Sequence, residues 1–553
     1  MKKSIFLLGF LCLFCHGVNS QKKAEPSLNL SQGAIINEMH QNHIGEIAFM
    51  EAFLPFTSFT EEDFLSEVKL SKTNDLNLRI FLAKTLTAYL NQLAPELSVS
   101  QLCDNGNFMF SFWVDGDAVY QFKIPYGAGS CAYKNEQTVY GIPLVRQDNP
   151  DHWGRFLWQR FMFQGGGDDA LSVGEHQLVI QVQPYLDNVG VEKKTIIGDV
   201  IAEGSVKVIR EPIAVTEAQR AIQDISKTEW SLYSDNFNEN LIKDLNEQIA
   251  NETLKDITSI VVIKDGKLAL EEYFNGAKRK TLHDTRSMTK SFTSSLIGIA
   301  INEGLITSEK ATIGDFYELQ NFENFDPRKE NISVSDLLQM NTVFDGNDAD
   351  ASSPGNEENM YPTKDWVKFV LDLPIRESSE HWSYFTGGVV LLGDILEKQT
   401  NNLEKYAKEK LFKPLNISKV KWQKTPTGVA NTAGSCRLTT LDYAKYGQLY
   451  LNKGKWKDQQ IIPSDWVHLS HTKHQQTSDG QHYGYLFWNS TFEIAGSLYE
   501  AYMASGNGGN HIVMIKELEM VIVITAKAYN KPYAHPQSHK ITEHFLIPAF
   551  LAK

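Results

Sequence analysis

Apolar residues follow two rhythms along this chain, and the change between them divides it. From residue 21 to residue 211 the segments are short and strand-like. Phe108-Met109-Phe110-Ser111-Phe112-Trp113-Val114, the turn Asp115-Gly116-Asp117 and Ala118-Val119-Tyr120-Gln121-Phe122 predict a hairpin. Gln177 to Gln183 and Val200 to Ile209 predict further strands, and Leu76 to Leu93 predicts an amphipathic helix. Together they imply a β-rich, sandwich-like accessory domain over residues 21–211. Residues 212–235 are polar, contain Pro212, and read as a linker.

After residue 236 the period lengthens. Asn236 to Asn251 predicts an amphipathic helix, and Ser259-Ile260-Val261-Val262-Ile263 with Leu268 to Phe274 predicts a hairpin about Asp265-Gly266. A mostly helical block runs from Ser333 to about Leu469. Strands return at Tyr499 to Ala504 and His511 to Ala526, and a helix closes the chain at Ile541 to Ile547. Strands at both ends of a helical block predict an α+β domain over residues 236–553, with one antiparallel sheet assembled from distant parts of the chain.

The first 20 residues follow a different pattern. Lys2 and Lys3 precede an apolar run from Ile5 to Phe14, and small residues follow at Val18-Asn19-Ser20. This is the layout of a cleavable export signal. No stretch reaches the ~18 uninterrupted apolar residues of a spanning helix. The expected mature protein is soluble and lies in the periplasm or outside the cell.

Composition narrows the function classes. With 553 residues, 42% hydrophobic and 22% charged, the chain has material for more than one core. Its formal charge of −14 opposes binding to nucleic acid or anionic membranes. Beyond the signal, Cys103 and Cys131 lie close enough in sequence to bridge in an oxidising compartment. Cys436 has no adjacent histidine and reads as a buried small residue.

Candidate chemistry centres on Thr285-Arg286-Ser287-Met288-Thr289-Lys290, which opens into the apolar run Leu296 to Ile301. On a helix, Lys290 shares a face with Ser287 and can take its hydroxyl proton. The helix start adds unpaired N–H groups and a partial positive charge where an oxyanion would form. Ser-x-x-Lys also occurs at Ser20, Ser66, Ser418 and Ser470, but only Ser287 opens a long apolar helix.

Several segments share the order found in the serine β-lactamase and penicillin-binding superfamily, and residues 236–553 resemble its class C-like branch of esterases, peptidases and amide hydrolases. They are the Asp265-Gly266 hairpin, the Ser287 helix, Ile332 to Met340, Trp382-Ser383-Tyr384 running into Leu391 to Leu396, Leu438 to Gly447, and Ala504-Ser505-Gly506-Asn507-Gly508-Gly509. The resemblance implies that Ser287 forms an acyl-enzyme and that Lys290 accepts its proton or tunes the acceptor. It implies that Tyr384 shuttles the proton to the leaving group, leaving open whether Lys290 or Tyr384 is the base. The implied oxyanion hole is the main-chain N–H of Ser287 with that of Asn507.

Two departures bear on substrate. Tyr384-Phe385-Thr386 carries a hydroxyl where many relatives have an asparagine amide. Ala504-Ser505-Gly506 lacks the lysine or histidine that would grip a substrate carboxylate. Ser505, Gly506 and Thr386 would therefore line a site for a small-molecule or short peptide-like ester or amide. A penicillin-interacting D-amino-acid peptidase or β-lactamase is the enzymatic alternative, and a binding protein on a hydrolase scaffold the non-catalytic one. No cofactor or metal is implied.

Other features read as structural. These are Gly165-Gly166-Gly167-Asp168-Asp169, the aromatics Trp153, Phe156, Trp158 and Phe161, the solvated acidic loop Asp345 to Asp350, and His511. Tyr361, Trp382 and Tyr502 could wall the pocket or fill the core.

Overall fold

The computed structural model describes residues 29–551 except 71–73, 127, 147–153, 191–192, 226–227, 351, 377–381 and 478–479. The segment expected as an export signal and Trp153 therefore lie outside the described residues. The chain divides into two compact units, Met1–Pro212 and Ile213–Lys553.

The first unit holds two sheets. Ile47–Met50, Leu76–Phe81 and Val139–Val145 form a three-stranded sheet. The six-stranded sheet is built around Gly174–Val189, which pairs with Gly106–Val114 on one side and Ala202–Arg210 on the other. The hairpin about Gly116 is present as Gly106–Val114 against Asp117–Lys123. One apolar core joins both sheets to the helices Leu86–Leu93 and Arg155–Gln164.

The predicted helix over Leu76 to Leu93 is only half helical. Leu76, Leu78 and Ile80 alternate with Asn77 and Arg79, a two-residue period that belongs to a strand. The helix starts at Leu86, where the Thr85 hydroxyl accepts the Ala88 N–H. Cys103 and Cys131 form a disulfide. Trp158 and Phe161 are buried while Phe156 is exposed, and Asp168 pairs with Arg210, so these residues build the unit.

The second unit has one eight-stranded antiparallel sheet. Its strands are β1 (Ile257–Lys264), β2 (Lys267–Tyr273), β3 (Gln475–Gln476), β4 (His482–Tyr483), β5 (Trp488–Ile494), β6 (Ser497–Gly506), β7 (Asn510–Ile515) and β8 (Met520–Ala526). They run in the order β2-β1-β8-β7-β6-β5-β4-β3. The segment expected as strand from His511 to Ala526 is the β7–β8 hairpin.

Residues of β1 alternate between faces. Val261 and Ile263 enter a core with α2 (Thr289–Asn302), α4 (Thr386–Thr400) and α5 (Thr440–Leu451), whereas Ile260 and Val262 face α1 (Glu239–Ala250) and the C-terminal helical segments Ile541–Leu546 and Ile547–Leu551. Helices on both faces explain why every residue of β7 and β8 is buried. A Cβ on Gly447 would lie 2.5 Å from Val521, so α5 approaches the sheet closely because it presents a glycine there. Parts of the segment read as a linker pack on this unit, where Tyr233 donates its N–H to Leu268 and Gln223 bonds to both Glu272 and Tyr273.

Candidate active site

Helix α2 is buried from Thr289 through Ala300, so it runs through the core of its unit. Most of its hydroxyls find a partner there, Ser294 Oγ being the exception. Ser291 donates to the Leu486 carbonyl, Thr293 to the Thr432 carbonyl, and Ser295 bonds the Tyr446 hydroxyl. A short turn, Arg286–Met288, leads into the helix, and Arg286 holds a left-handed φ of 52°. A non-glycine residue in that region is strained by about 1–3 kcal/mol, and here it sits immediately before Ser287.

Lys290 is 1% exposed. Its Nζ donates to Ser287 Oγ at 3.0 Å and to the Ala433 carbonyl at 2.7 Å, and lies 5.2 Å from the centroid of the Tyr384 ring. Ser287, Lys290 and Tyr384, separated by up to 97 positions in sequence, thus converge at Lys290 Nζ. Tyr384 stacks on Trp488 with centroids 5.9 Å apart and meets Trp382 and Tyr483 edge-on. Trp382 is itself fixed by donating to the Gln339 carbonyl.

Opposite the Ser287 turn lies the end of β6. A Cβ on Gly506 would come within 1.9 Å of the Thr285 carbonyl oxygen and 3.1 Å of the Met288 nitrogen, so strand and turn touch main chain to main chain. Ser505 is partly buried and pairs with His511 across β7. Asn507 is exposed. Its side chain exchanges hydrogen bonds with Asn530, and its carbonyl accepts from Asn510 Nδ2 at 2.8 Å, which pins the turn after the strand.

Thr386 is buried at the start of α4, and its N–H donates to Asp348 Oδ2 at 2.7 Å. Asp348 was expected in a solvated loop. Burial first, and the Glu357 charge second, push its carboxyl up to about 6, against the opposing hydrogen bonds from Thr386 and the charge of Lys290. Its neighbour Asp350 is exposed.

Tyr443 explains the segment Leu438 to Gly447. Its buried hydroxyl accepts from Thr285 Oγ1 and the Leu438 N–H, and lies within donating distance of the His283 and Cys436 carbonyls. It thereby braces the base of the Ser287 turn.

The remaining candidates fall outside this cluster of contacts. His511 is buried against His535, Tyr502 stacks on His471, and Tyr361 donates to Glu357. Cys436 is buried, and burial drives its thiol pKa upward. Among the described residues no group of three or more histidine, cysteine or acidic side chains is arranged to hold a metal, and no helix is long and apolar enough to cross a membrane.

Several solved structures are similar to part of this chain. A protein from Bacillus anthracis named as a 6-aminohexanoate-dimer hydrolase is 18% identical, with a TM-score of 0.48 over 62% of this chain and 90% of its own. An octameric penicillin-binding protein homologue from Pyrococcus abyssi is 20% identical, with a TM-score of 0.42 over 55% and 76%. A D-stereospecific amidohydrolase from Streptomyces sp. is 15% identical, with a TM-score of 0.40 over 52% and 92%. No curated protein matches the chain. The family model described as Beta-lactamase matches residues 253–544, more than half of the sequence, and the chain belongs to the β-lactamase family of hydrolases.

Proposed function

We propose that this protein is an exported serine hydrolase of the class C-like branch that cleaves an ester or a simple amide through an acyl-enzyme on Ser287. The observation that carries the reading is the 3.0 Å contact between Lys290 Nζ and Ser287 Oγ, with the lysine buried and aimed by the Ala433 carbonyl. Ser287 Oγ attacks the substrate carbonyl while its proton passes to the Lys290–Tyr384 pair. The oxyanion is held by the main-chain N–H groups of Ser287 and Asn507. Tyr384 gives the proton to the leaving group and then helps a water molecule attack the acyl-enzyme.

The end of β6 carries Ala504 where a carboxylate-gripping cation would stand, and that favours substrates without a carboxylate. The Tyr384 ring and its neighbours Trp488 and Trp382 supply an apolar surface for the acyl or leaving group. Export is supported by the basic and apolar opening of the sequence and by the Cys103–Cys131 bridge, which is stable in an oxidising compartment. The β-rich first unit is proposed as an accessory domain.

The test is the intact mass of the mature protein after treatment with a fluorophosphonate, alongside Ser287→Ala. One adduct on the wild type and none on the variant is expected. Equal labelling of both would remove Ser287 from the mechanism. A stable penicilloyl adduct on Ser287 would redirect the substrate assignment to penicillin-interacting peptidases.

A further inference from the structure

Helix α4 begins directly after Phe385, and that residue offers no side-chain cap for its first N–H groups. The cap comes from a distant segment. Asp348 Oδ2 accepts the Thr386 N–H at 2.7 Å, and the Asp348 N–H donates to the Tyr384 carbonyl at 2.9 Å. One residue thus holds the main chain on both sides of Phe385. Its other oxygen, Oδ1, accepts the Glu357 N–H at 3.0 Å, at the first residue of α3 (Glu357–Met360).

The loop that presents Asp348 is itself tied down. Asn356 Nδ2 reaches the carbonyls of Asn347, Asp348 and Asp350, and Ser353 Oγ accepts the Asn347 N–H. A carboxylate at a helix start is also favoured by the helix dipole.

We propose that Asp348 is a positioning residue that fixes the Tyr384 ring over Lys290 by anchoring the peptides on either side of Phe385. The proposal deepens the acyl-enzyme reading and rests on it, because Tyr384 must be the group that returns the proton to the leaving group. A carboxylate can accept both the Thr386 and Glu357 N–H bonds. Once protonated, one of its oxygens carries a hydrogen and accepts more weakly.

The charged and titratable groups facing Asp348 are Lys290, Glu357, Tyr361 and Tyr384. With its carboxyl held near 6, Asp348 is ionised at neutral pH and takes up a proton as the pH falls through about 6. Activity dependent on Tyr384 falls with it.

The experiment uses the full mature protein and two acetate esters. One is p-nitrophenyl acetate, whose leaving group departs without a proton. The other is an alkyl acetate, whose leaving group needs one. Asp348→Asn keeps the shape but sets an amide NH2 against an N–H donor. The expected result is a fall of about 10²-fold in kcat/KM for the alkyl ester, a smaller fall in kcat/KM for the p-nitrophenyl ester, and loss of the acid limb near pH 6.

Thr386→Pro removes the other half of the contact: its Cδ stands where the N–H pointed at Oδ2 and pushes the Asp348 carboxylate aside. Proline is tolerated at the first helical position, and the extended backbone of Phe385 (φ −136°, ψ 98°) suits the residue before it. The same selective loss is expected, and this variant decides the matter should Asp348→Asn fail to fold. Folded variants with wild-type kcat/KM, unchanged ester selectivity and the same acid limb would overturn the proposal. A wild type that neither takes up fluorophosphonate nor turns over either ester would instead overturn the acyl-enzyme reading beneath it.

Discussion

Substituting Gly506 by alanine tests the geometry of the nucleophile turn without touching any reacting group. Gly506 does not have a positive φ, so alanine fits its backbone and the only objection is space. The added Cβ would sit 1.9 Å from the Thr285 carbonyl oxygen, where real Cβ atoms stay beyond 3.0 Å. That neighbour is main chain, two residues before Ser287, and it cannot rotate away. The end of β6 must therefore withdraw by about 1 Å, carrying the Asn507 N–H with it, and displacement on that scale costs about 10²-fold in rate. Overpacking of this kind destabilises by about 1–3 kcal/mol, which lowers the melting temperature but leaves a folded protein. The assay is the second-order rate of fluorophosphonate labelling by intact mass, run beside a circular-dichroism melt. A folded Gly506→Ala that labels as fast as the wild type would refute both the contact and the proposed oxyanion hole.

Two further expectations concern stability. Tyr443→Phe strands the Leu438 N–H and the Thr285 hydroxyl in the core and should destabilise the second unit by about 1–3 kcal/mol in urea unfolding; a change near zero would mean that the hydroxyl is not the brace described. Acid should weaken the same unit. Burial holds His283 at about 4 and His471 at about 3, and it also lowers His511, His535 and His539, so the unfolded chain takes up protons below about pH 6.5 that the folded one refuses. Glu272, raised to about 7 by burial, and Asp348 act in the opposite sense but are outnumbered. Urea midpoints measured from pH 7.5 down to 5 should fall, and a flat or rising series would contradict this.

The Ser287 helix was legible because its signal is local. A continuous apolar run after Ser-x-x-Lys identifies a helix buried all round, and three-residue spacing does the rest. Hairpins about Gly116 and Gly266 were legible for the same reason. Asp348 was not, since an acidic, polar loop carries no mark of the helix start that it caps 38 positions later. The closeness of Gly506 to Thr285 was equally hidden, because a glycine reads as a turn until the opposing carbonyl is in place. Leu76 to Leu93 misled because a window long enough to sense a helix averaged the alternation of its first six residues with the real helix behind them.

The pairing of β1 with β8 has a consequence for synthesis. The ribosome delivers β1 more than 250 residues before its neighbour in the sheet, and the Ser287 turn must wait for the strand that ends at Gly506. Loop closure over such a distance is slow, so the second unit completes its fold only after nearly all of the chain has emerged. The first unit, whose strands all lie before residue 212, has no such delay. A stop codon anywhere before Ala526 leaves β1 without part of its partner. Hydrolytic competence, on this account, arrives last and all at once.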